Sequence, residues 1–296
     1  VMTLIDEFRA DQLYGAFASP AETAGGSAAN TMAGIASFGG TGMYVGKVQR
    51  DRLGESFSRS MKDGGIRFTV PFAEDSPSTA CSLIAVTPDG HRSMNTYLGA
   101  SRELAPHDIK ADDIESASIV YVEGYLWDAP DAKAAIQKAL KIAKAAGRKV
   151  ALTLSDPFCV SRWRDEFLSL VKSDIDILFA NEEEAKALFG VENFDDVLQA
   201  LHAWKGVAAM TRSEKGCVVS HDKEVHVIDA VPVEKVVDTT GAGDQYAAGF
   251  LYGLTHGKAL ADCGRLGSLA AAEVISHYGA RPETSLKVLA SKAGLI

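Results

Sequence analysis

Short apolar stretches rich in β-branched residues alternate with amphipathic stretches through the chain from Ile119 onward. The apolar stretches predict strands at 119–122, 149–154, 175–179 and 207–210, and then a hairpin at 217–228. The amphipathic stretches predict helices at 129–146, 162–171, 182–189, 194–204, 260–277 and 285–293. Strands that alternate with helices form a parallel sheet with helices on both faces. The pattern therefore predicts an α/β fold built on a mainly parallel sheet.

The N-terminal part of the chain has a different pattern. Its predicted elements are a helix at 2–17 and strands at 43–48, 68–72, 79–86 and 92–97. Thr87-Pro88-Asp89-Gly90 is a strong turn signal between the last two strands. Such a run of strands predicts a small separate sheet, formed mainly by about 66–100, that acts as a lid. Because no repeat or long linker is visible, residues 1–296 are interpreted as one domain with this lid.

Two glycines and an aspartate late in the chain suggest a binding site. Residues 231–237 predict a strand and 247–254 a buried helix, with Gly241-Ala242-Gly243-Asp244 between them. A glycine loop that opens a helix directs free N–H groups outward, and the helix dipole favours an anion there. Asp244 then has two interpretations: it favours the helix N-terminus, or it takes a proton from an attacking hydroxyl group.

Polar residues also occur at other predicted element ends. Gly26 opens a helix of small residues, and Asn30, one turn further, bonds either a ligand hydroxyl or a core group. Asn181 and Glu184 follow a predicted strand, where they either complement the dipole of the next helix or face hydrated magnesium and phosphates. Thr211 ends another strand and belongs either to a nucleotide site or to a simple turn.

Composition and charge argue against several classes of protein. The chain has 30 basic and 39 acidic side chains and a net charge of −9, which argues against nucleic acid or an anionic membrane as partner. Its four cysteines form no C-x-x-C pair and no zinc-like cluster, as is typical of reduced thiols in a cytosolic protein. No apolar run has membrane-spanning length and no signal peptide is visible, so we expect a cytoplasmic protein.

Three motifs together resemble those of one family. Residues 25–30 (GGSAAN), 181–184 (NEEE) and 238–244 (DTTGAGD) occur in this order along the chain. They are similar to the N-terminal substrate motif, the N-x-x-E motif and the C-terminal signature of ribokinase-like (PfkB) carbohydrate and nucleoside kinases. The likeness covers nearly the whole chain. It implies a ribokinase-like three-layer α/β/α fold with a β lid, and a phosphotransferase with an alcohol acceptor.

The resemblance implies a role for each motif. Asp244 would deprotonate a substrate hydroxymethyl group, while Gly26 and Asn30 would bind sugar hydroxyls. The transferring phosphoryl group would be held by the amides of Gly241, Ala242 and Gly243. Such an arrangement suits phosphoryl transfer because this reaction needs mainly positioning and charge stabilisation.

The phosphate donor that the resemblance implies is ATP with Mg²⁺. Glu184 would contact Mg²⁺ through water. Asp238 and Thr240 fall where relatives bind a monovalent cation such as K⁺. The residues that would face ATP or its phosphates are Arg92, Asn181, Glu184, Thr211, Gly241 and Gly243.

Within the family, the likeness is greatest to bacterial adenosine kinases, through residues 91–100, 123–127 and 154–159. Met94, Thr96 and Phe158 would then border adenine, and the ribose 5′-hydroxyl would face Asp244. Apolar and aromatic walls suit a base better than a bare sugar, although aromatic residues at strand ends, such as Trp127, are more often core.

Other interpretations remain open at this point. A kinase for a plain sugar such as ribose or fructose shares these motifs, and a nucleoside-binding protein without catalysis is a third possibility. Family members begin with a central strand carrying a Gly and an Asp. No such strand precedes Met2, so either it lies outside this sequence, which we expect, or the substrate site is built differently. A lid closes one site alone or meets a partner's lid, so a monomer and a homodimer are both compatible with the sequence.

Overall fold

The structure is a computed structural model that describes residues 2–87 and 92–296, with the backbone alone for Arg92. Its strands are β1 (Met2–Leu4), β2 (Met43–Tyr44), β3 (Arg67–Phe68), β4 (Cys81–Val86), β5 (Arg92–Tyr97), β6 (Ile119–Glu123), β7 (Lys149–Thr153), β8 (Ile177–Asn181), β9 (Val207–Thr211), β10 (Cys217–His221) and β11 (Glu224–Ile228). Its helices are α1 (Glu7–Ala16), α2 (Ser27–Ser37), α3 (Arg52–Asp63), α4 (Ala111–Glu115), α5 (Pro130–Ala145), α6 (Pro157–Ser173), α7 (Glu182–Phe189), α8 (Phe194–Leu201), α9 (Ala242–Thr255), α10 (Leu260–Val274) and α11 (Leu286–Lys292). Within these described ranges, no helix combines the length and apolar character needed to cross a membrane.

The main sheet has six strands in the order β11-β10-β9-β8-β7-β6. Strands β6 to β9 are parallel, and β10 and β11 continue the sheet in antiparallel fashion. Side chains alternate between its two faces. On β8, Leu178 packs in the core that includes α5 to α8, whereas Ile177 and Phe179 pack in the core that includes α9 and α10. Helices therefore cover both faces, and the predicted three-layer α/β/α fold is confirmed.

A three-stranded sheet in the order β1-β5-β4 lies apart from the main sheet. The prediction of a helix from residue 2 is wrong for its first residues. Met2 pairs with Met94 in parallel register, and the Ile5 N–H donates to the Thr96 carbonyl at 3.0 Å. Pairing with β5 outweighs the local helical periodicity, which begins to apply only at Glu7, after the N-cap Asp6.

The strand predicted at 68–72 is also different in the structure. It is limited to β3, which pairs with β2 rather than with the three-stranded sheet. The Phe68 ring contacts Tyr44 on β2 and Phe57 on α3, so aromatic packing holds β3 against that helix. The predicted turn at 87–90 lies outside the described residues from 88 onward, and the extent of the lid stays a prediction.

The strand predicted at 231–237 does not form. Pro232 has no N–H to donate to a ladder, and the Val237 N–H donates to the Ile275 carbonyl at 2.8 Å instead. The glycine loop is therefore approached by irregular chain fixed against the end of α10. Helix α6 begins earlier than predicted because the Asp156 side chain accepts the N–H groups of Phe158 and Cys159.

Candidate active site

A cavity of about 2560 Å³ opens at the carboxyl end of the parallel strands. The last residue of each parallel strand lines it, namely Glu123, Thr153, Asn181 and Thr211. Residues 241–244 line it from the start of α9. Ligands in sheets of this kind bind beyond the carboxyl ends of strands. The volume exceeds the roughly 300–1,000 Å³ of a typical small-molecule pocket, and the cavity continues along the edge of β6 towards β2.

The structure brings the predicted site residues together at this one cavity. Those in its wall are Gly26, Asn30, Met94, Thr96, Phe158, Asn181, Glu184, Thr211, Asp238, Thr240, Gly241, Ala242, Gly243 and Asp244. The side chain of Arg92 lies outside the described part of the chain. Residues that are far apart in sequence therefore line the same cavity.

The two glycines of the loop lie in different structural surroundings. Gly241 is the N-cap of α9, with φ 80° and ψ 0°, a left-handed conformation that favours glycine. A Cβ on Gly241 would lie 2.7 Å from Ala280 Cβ and 2.8 Å from Ala280 O. A Cβ on Gly243 would meet no atom within 4 Å. Gly241 is thus required by the fold, whereas a side chain at Gly243 would meet open space at the start of α9, where the first helical N–H groups have no partner within the helix.

Two side chains from the start of α2 hold the Asp244 carboxylate. Ser27 Oγ donates to Asp244 Oδ1 at 2.7 Å, and Asn30 Nδ2 donates to Asp244 Oδ2 at 2.9 Å. Burial raises the pKa of Asp244 above its ordinary value, and these two hydrogen bonds oppose that rise. A carboxylate has about four lone-pair positions, so it retains capacity to accept a further hydroxyl proton.

Glu123 is a second carboxyl group at this site, and sequence reasoning did not single it out. Its Oε1 accepts the Ala28 N–H at 2.6 Å, so it also contacts the first turn of α2. Burial, and then the negative charge of Asp244, raise the pKa of Glu123 to about 7. A signal was present, because an acidic residue directly follows the apolar run of β6 at its carboxyl end.

Both the backbone carbonyl and the side-chain amide of Asn30 form hydrogen bonds with other parts of the fold. Its backbone carbonyl accepts from Gln245 Nε2 at 2.9 Å, and the same Nε2 donates to the Ala280 carbonyl at 2.9 Å. Arg281 Nε donates to Asn30 Oδ1 at 3.4 Å. Asn30 as a whole is only 5% exposed. The internal and ligand-facing interpretations of Asn30 are therefore not exclusive, since a buried, oriented amide also lines the cavity.

Asp238 fixes the turn that precedes the glycine loop. Its Oδ1 accepts from the Thr240 N–H at 2.9 Å and from Thr240 Oγ1 at 2.6 Å. Its Oδ2 accepts the Gly279 N–H at 3.2 Å, which joins the loop to the segment that carries Ala280. The Asp238 side chain thus has a clear structural role, and cation binding by Asp238 and Thr240 stays a prediction.

Asn181 and Glu184 form a capping box at the start of α7. Glu184 N–H donates to Asn181 Oδ1 at 2.8 Å, and Asn181 N–H donates to Glu184 Oε2 at 2.9 Å. Asn181 Nδ2 also donates to Glu184 Oε1 at 2.7 Å. Burial, with a smaller contribution from the negative charge of Asp156, raises the pKa of Glu184 to about 7. The helix-capping interpretation is realised, and both side chains line the cavity as well.

A lone carboxylate is compatible with magnesium held through water, since Mg²⁺ keeps several of its waters in proteins. Glu184 supplies such a carboxylate at the cavity wall. Among the described residues, no group of three or more His, Cys, Asp or Glu side chains is arranged to hold a metal directly. The Glu184 carboxylate therefore fits an ion that is held through water.

The aromatic residues after the strands separate into two groups. Phe158 is 73% exposed and Tyr125 is 37% exposed, and both line the cavity. Trp127 is 2% exposed, packs against Phe167 and donates from Nε1 to Glu166 at 2.8 Å. Phe158 and Tyr125 are thus available to a flat ligand, whereas Trp127 belongs to the core.

Comparison with known proteins agrees with this fold. The model of the pfkB family of carbohydrate kinases matches residues 4–286, and the chain belongs to this family. It is therefore a phosphotransferase with an alcohol group as acceptor.

Individual relatives resemble the chain over most of its length. The adenosine kinase from Sinorhizobium meliloti is 50% identical, with a TM-score of 0.95 over 99% of this chain and 90% of that chain. A probable sugar kinase protein from Rhizobium etli CFN 42 is 48% identical, with a TM-score of 0.96 over 100% of this chain and 90% of that chain. Adenosine kinase of Saccharomyces cerevisiae is 31% identical over 274 residues, covering 86% of this chain and 78% of the relative.

Proposed function

We propose that the protein transfers the γ-phosphoryl group of ATP to the 5′-hydroxyl of adenosine, with AMP and ADP as products. The observation that carries this proposal is the Asp244 carboxylate, which lies in the cavity at the start of α9 with each oxygen held by a donor from α2. A base oriented in this way, next to an anion-binding helix terminus, supports phosphoryl transfer to a hydroxyl group. Family membership disfavours a purely binding protein.

In the proposed reaction, Asp244 accepts the proton of the 5′-hydroxyl group. At the same time, the 5′-oxygen of adenosine forms a bond to the γ-phosphorus. The bond between that phosphorus and the bridging oxygen of ADP breaks. The amides of Gly241, Ala242 and Gly243 face the charge that spreads over the transferring group. Gly26 and Asn30 bind the sugar hydroxyls, and the oriented Asn30 amide keeps the ribose in register with Asp244.

ATP approaches from the side of β8 and β9 in this proposal. Asn181 and Thr211 are partners in the register of these strands, so their side chains meet at one place on the cavity wall. Glu184 holds magnesium through water, and the ion, when bound, neutralises charge on the phosphates. Arg92 adds positive charge from the lid, and Asp238 with Thr240 binds a monovalent cation that steadies the loop.

Adenosine is favoured over a plain sugar by the apolar wall of the cavity. Phe158 is 73% exposed and lines the cavity, and Met94 and Thr96 line it from β5. Stacking a base on the exposed ring removes apolar surface from water, which a bare sugar achieves poorly. The relative at 50% identity is an adenosine kinase, which supports the same choice.

A sugar kinase is the second candidate, because the relative at 48% identity is described as a probable sugar kinase. Turnover with ATP is compared for adenosine, ribose and fructose at equal concentrations. We expect kcat/KM to be largest for adenosine, and Phe158→Ala to raise KM for adenosine more than for either sugar. Turnover of ribose or fructose without turnover of adenosine would reject the proposal.

A further inference from the structure

Gln245 follows the proposed base directly, in the first turn of α9, and its side chain is buried. The residue is 0% exposed, and it is not among the described residues that line the cavity. Its Nε2 donates to the Asn30 carbonyl at 2.9 Å and to the Ala280 carbonyl at 2.9 Å. An amide NH₂ group has two hydrogens, so both are used. One side chain therefore joins three parts of the fold, namely α9, α2 and residues 279–281.

The two carbonyl groups fix which way this amide points. A reversed amide would place Oε1 against both carbonyl oxygens and lose both hydrogen bonds. In the observed orientation, Oε1 of Gln245 has no hydrogen-bond partner among the described residues. It lies against Gly34 on α2, because a Cβ on Gly34 would come within 2.2 Å of it. A buried acceptor without a partner costs free energy, which the two bonds from Nε2 offset. The contribution that requires glutamine here is therefore the link to the two carbonyl groups.

Both carbonyl groups belong to parts of the fold that support Asp244 or the glycine loop. The side chain of Asn30 donates to Asp244 Oδ2 at 2.9 Å. Ala280 packs against Gly241, since a Cβ on Gly241 would lie 2.8 Å from Ala280 Cα. Arg281, next in the chain, donates from Nε to Asn30 Oδ1 at 3.4 Å. A shift of α2 away from α9 would therefore move the donors that orient the Asp244 carboxylate.

We propose that Gln245 is a positioning residue for Asp244: its amide fixes the first turn of α2 and residues 279–281 against α9, so that Asn30 stays bonded to the carboxylate. This inference rests on the proposed role of Asp244 as base. Gln245 does not line the cavity, so it acts on the reaction through Asn30 and not through a ligand. Its loss therefore changes the rate and the pKa of the base more than it changes substrate binding.

The first test is Gln245→Met, which keeps the length of the side chain and removes both donor hydrogens. Steady-state kinetics are measured between about pH 5 and 8 with the acceptor, among adenosine, ribose and fructose, that the wild type turns over fastest. We expect kcat to fall at least about tenfold and KM for both substrates to stay within about threefold of the wild type, because the base is misplaced. The acid limb of kcat/KM should move to higher pH, since burial raises the pKa of Asp244 and the weakened Asn30 bond opposes that rise less.

A double variant tests whether Gln245 acts through Asn30. If it does, the losses in kcat caused by Q245M and by Asn30→Ala overlap. We then expect the double variant to lose at least about threefold less than the product of the two single losses. A glutamine that supports the fold independently of Asn30 gives single losses that multiply, and this result would overturn the inference.

Two further variants separate positioning from a general loss of stability. Leu201→Ala truncates a residue of α8 that is 2% exposed, packs in the core on the other face of the sheet and does not line the cavity. It should melt at a lower temperature than the wild type and keep the wild-type kcat and acid limb. Gln245→Glu carries the test if melting curves show that Q245M does not fold. A carboxyl group has at most one donor hydrogen, so we expect the same changes as in Q245M, with kcat at least about threefold below the wild type.

The inference is wrong if folded Q245M has the kcat and acid limb of the wild type, if L201A shows the same changes as Q245M, or if KM rises more than kcat falls. Asp244→Asn separates it from the proposed function. If D244N turns over like the wild type, the base assignment fails and the inference fails with it. If D244N is inactive while Q245M keeps the wild-type kcat and acid limb, the base assignment stands and only the positioning role of Gln245 is wrong.

Discussion

The side-chain amide of Asn30 donates to Asp244 Oδ2 at 2.9 Å, between two helices whose contacting residues are 214 positions apart in sequence. The orientation of this amide is fixed from the other side, because Arg281 Nε donates to Asn30 Oδ1. A flipped amide would direct an oxygen at the carboxylate and lose the bond to the guanidinium. Arg281 therefore keeps the donor end of Asn30 on the proposed base.

Removing the carboxylate is the first test of this geometry. Asp244→Asn keeps the size of the side chain but cannot accept a proton at neutral pH. We expect kcat to fall by roughly 10²–10⁴-fold, with little change in melting temperature, because a general base contributes about this much. Asp262→Asn, in the first turn of α10 and away from the cavity, is the control and should retain wild-type turnover. Wild-type turnover by D244N would show that Asp244 is not the base.

A second prediction concerns the pH dependence that Asn30 imposes. The hydrogen bond from Asn30 lowers the pKa of Asp244, against the rise caused by burial. Asn30→Ala removes this donor, so the pKa of Asp244 rises. The base then becomes protonated at a higher pH. We expect the acid limb of the kcat/KM profile to move to higher pH, as measured between about pH 5 and 8.

Loss of stability alone must be distinguished from this shift. Asn193→Ala removes the asparagine N-cap of α8, which lies outside the cavity wall, and costs about 1 kcal/mol of folding free energy. Its acid limb should remain at the wild-type position. An unmoved limb in N30A, with the same profile in N193A, would mean that Asn30 does not tune the base.

Much of the fold was predictable because the strands of the main sheet carry their own signal. β8 is buried on both faces from Ile177 to Ala180, so its sequence is a continuous apolar run with turn residues near its ends. β1 carries no comparable signal. It has three exposed residues, and it exists because β5, far along the chain, offers it an edge. A strand that depends on its partner is not visible in a local window.

The site was predictable to a similar degree and for a similar reason. Asp244, Gly241 and Gly243 carry their chemistry in one short stretch, so residue types alone indicated an anion site. Glu123 and Arg281 belong to the candidate site only through their hydrogen bonds with Ala28 and Asn30 on α2, which the tertiary structure brings to them. No spacing in the sequence predicts those contacts.

The two glycines of the loop offer a third, paired prediction. Gly241→Ala forces a left-handed alanine whose Cβ lies 2.8 Å from Ala280 Cα, so the backbone must move. We expect a loss of more than about 1 kcal/mol in the free energy of unfolding, measured by denaturant titration. Gly243→Ala has open space for its methyl group and should be at least as stable as the wild type.

Gly243→Ala should lower activity although it does not lower stability. If the amides of residues 241–243 bind the phosphoryl group as proposed, the methyl group of G243A takes up space beside it, so we expect kcat to fall by at least about tenfold in a fully folded protein. A G243A variant with wild-type kcat would argue against phosphate binding at the amides of residues 241–243. A G241A variant as stable as the wild type would mean that the contact with Ala280 is not tight.

The last prediction concerns how the raised pKa of Glu184 makes the stability of the fold depend on pH. Its pKa is about 7 in the folded protein, against an ordinary value of 4.5. Between these values the folded state holds a proton that the unfolded state has released, so stability falls as the pH rises through this window. The corresponding contribution to the free energy of unfolding is at most about 3 kcal/mol.

Glu184→Gln keeps a capping-box side chain without the charge. We therefore expect E184Q to melt at the wild-type temperature near pH 4.5 and a few degrees higher at pH 8. Glu183→Gln, whose side chain is 70% exposed in the wild type, is the matched control and should follow the wild-type curve. Equal melting temperatures for E184Q and the wild type at pH 8 would contradict the prediction.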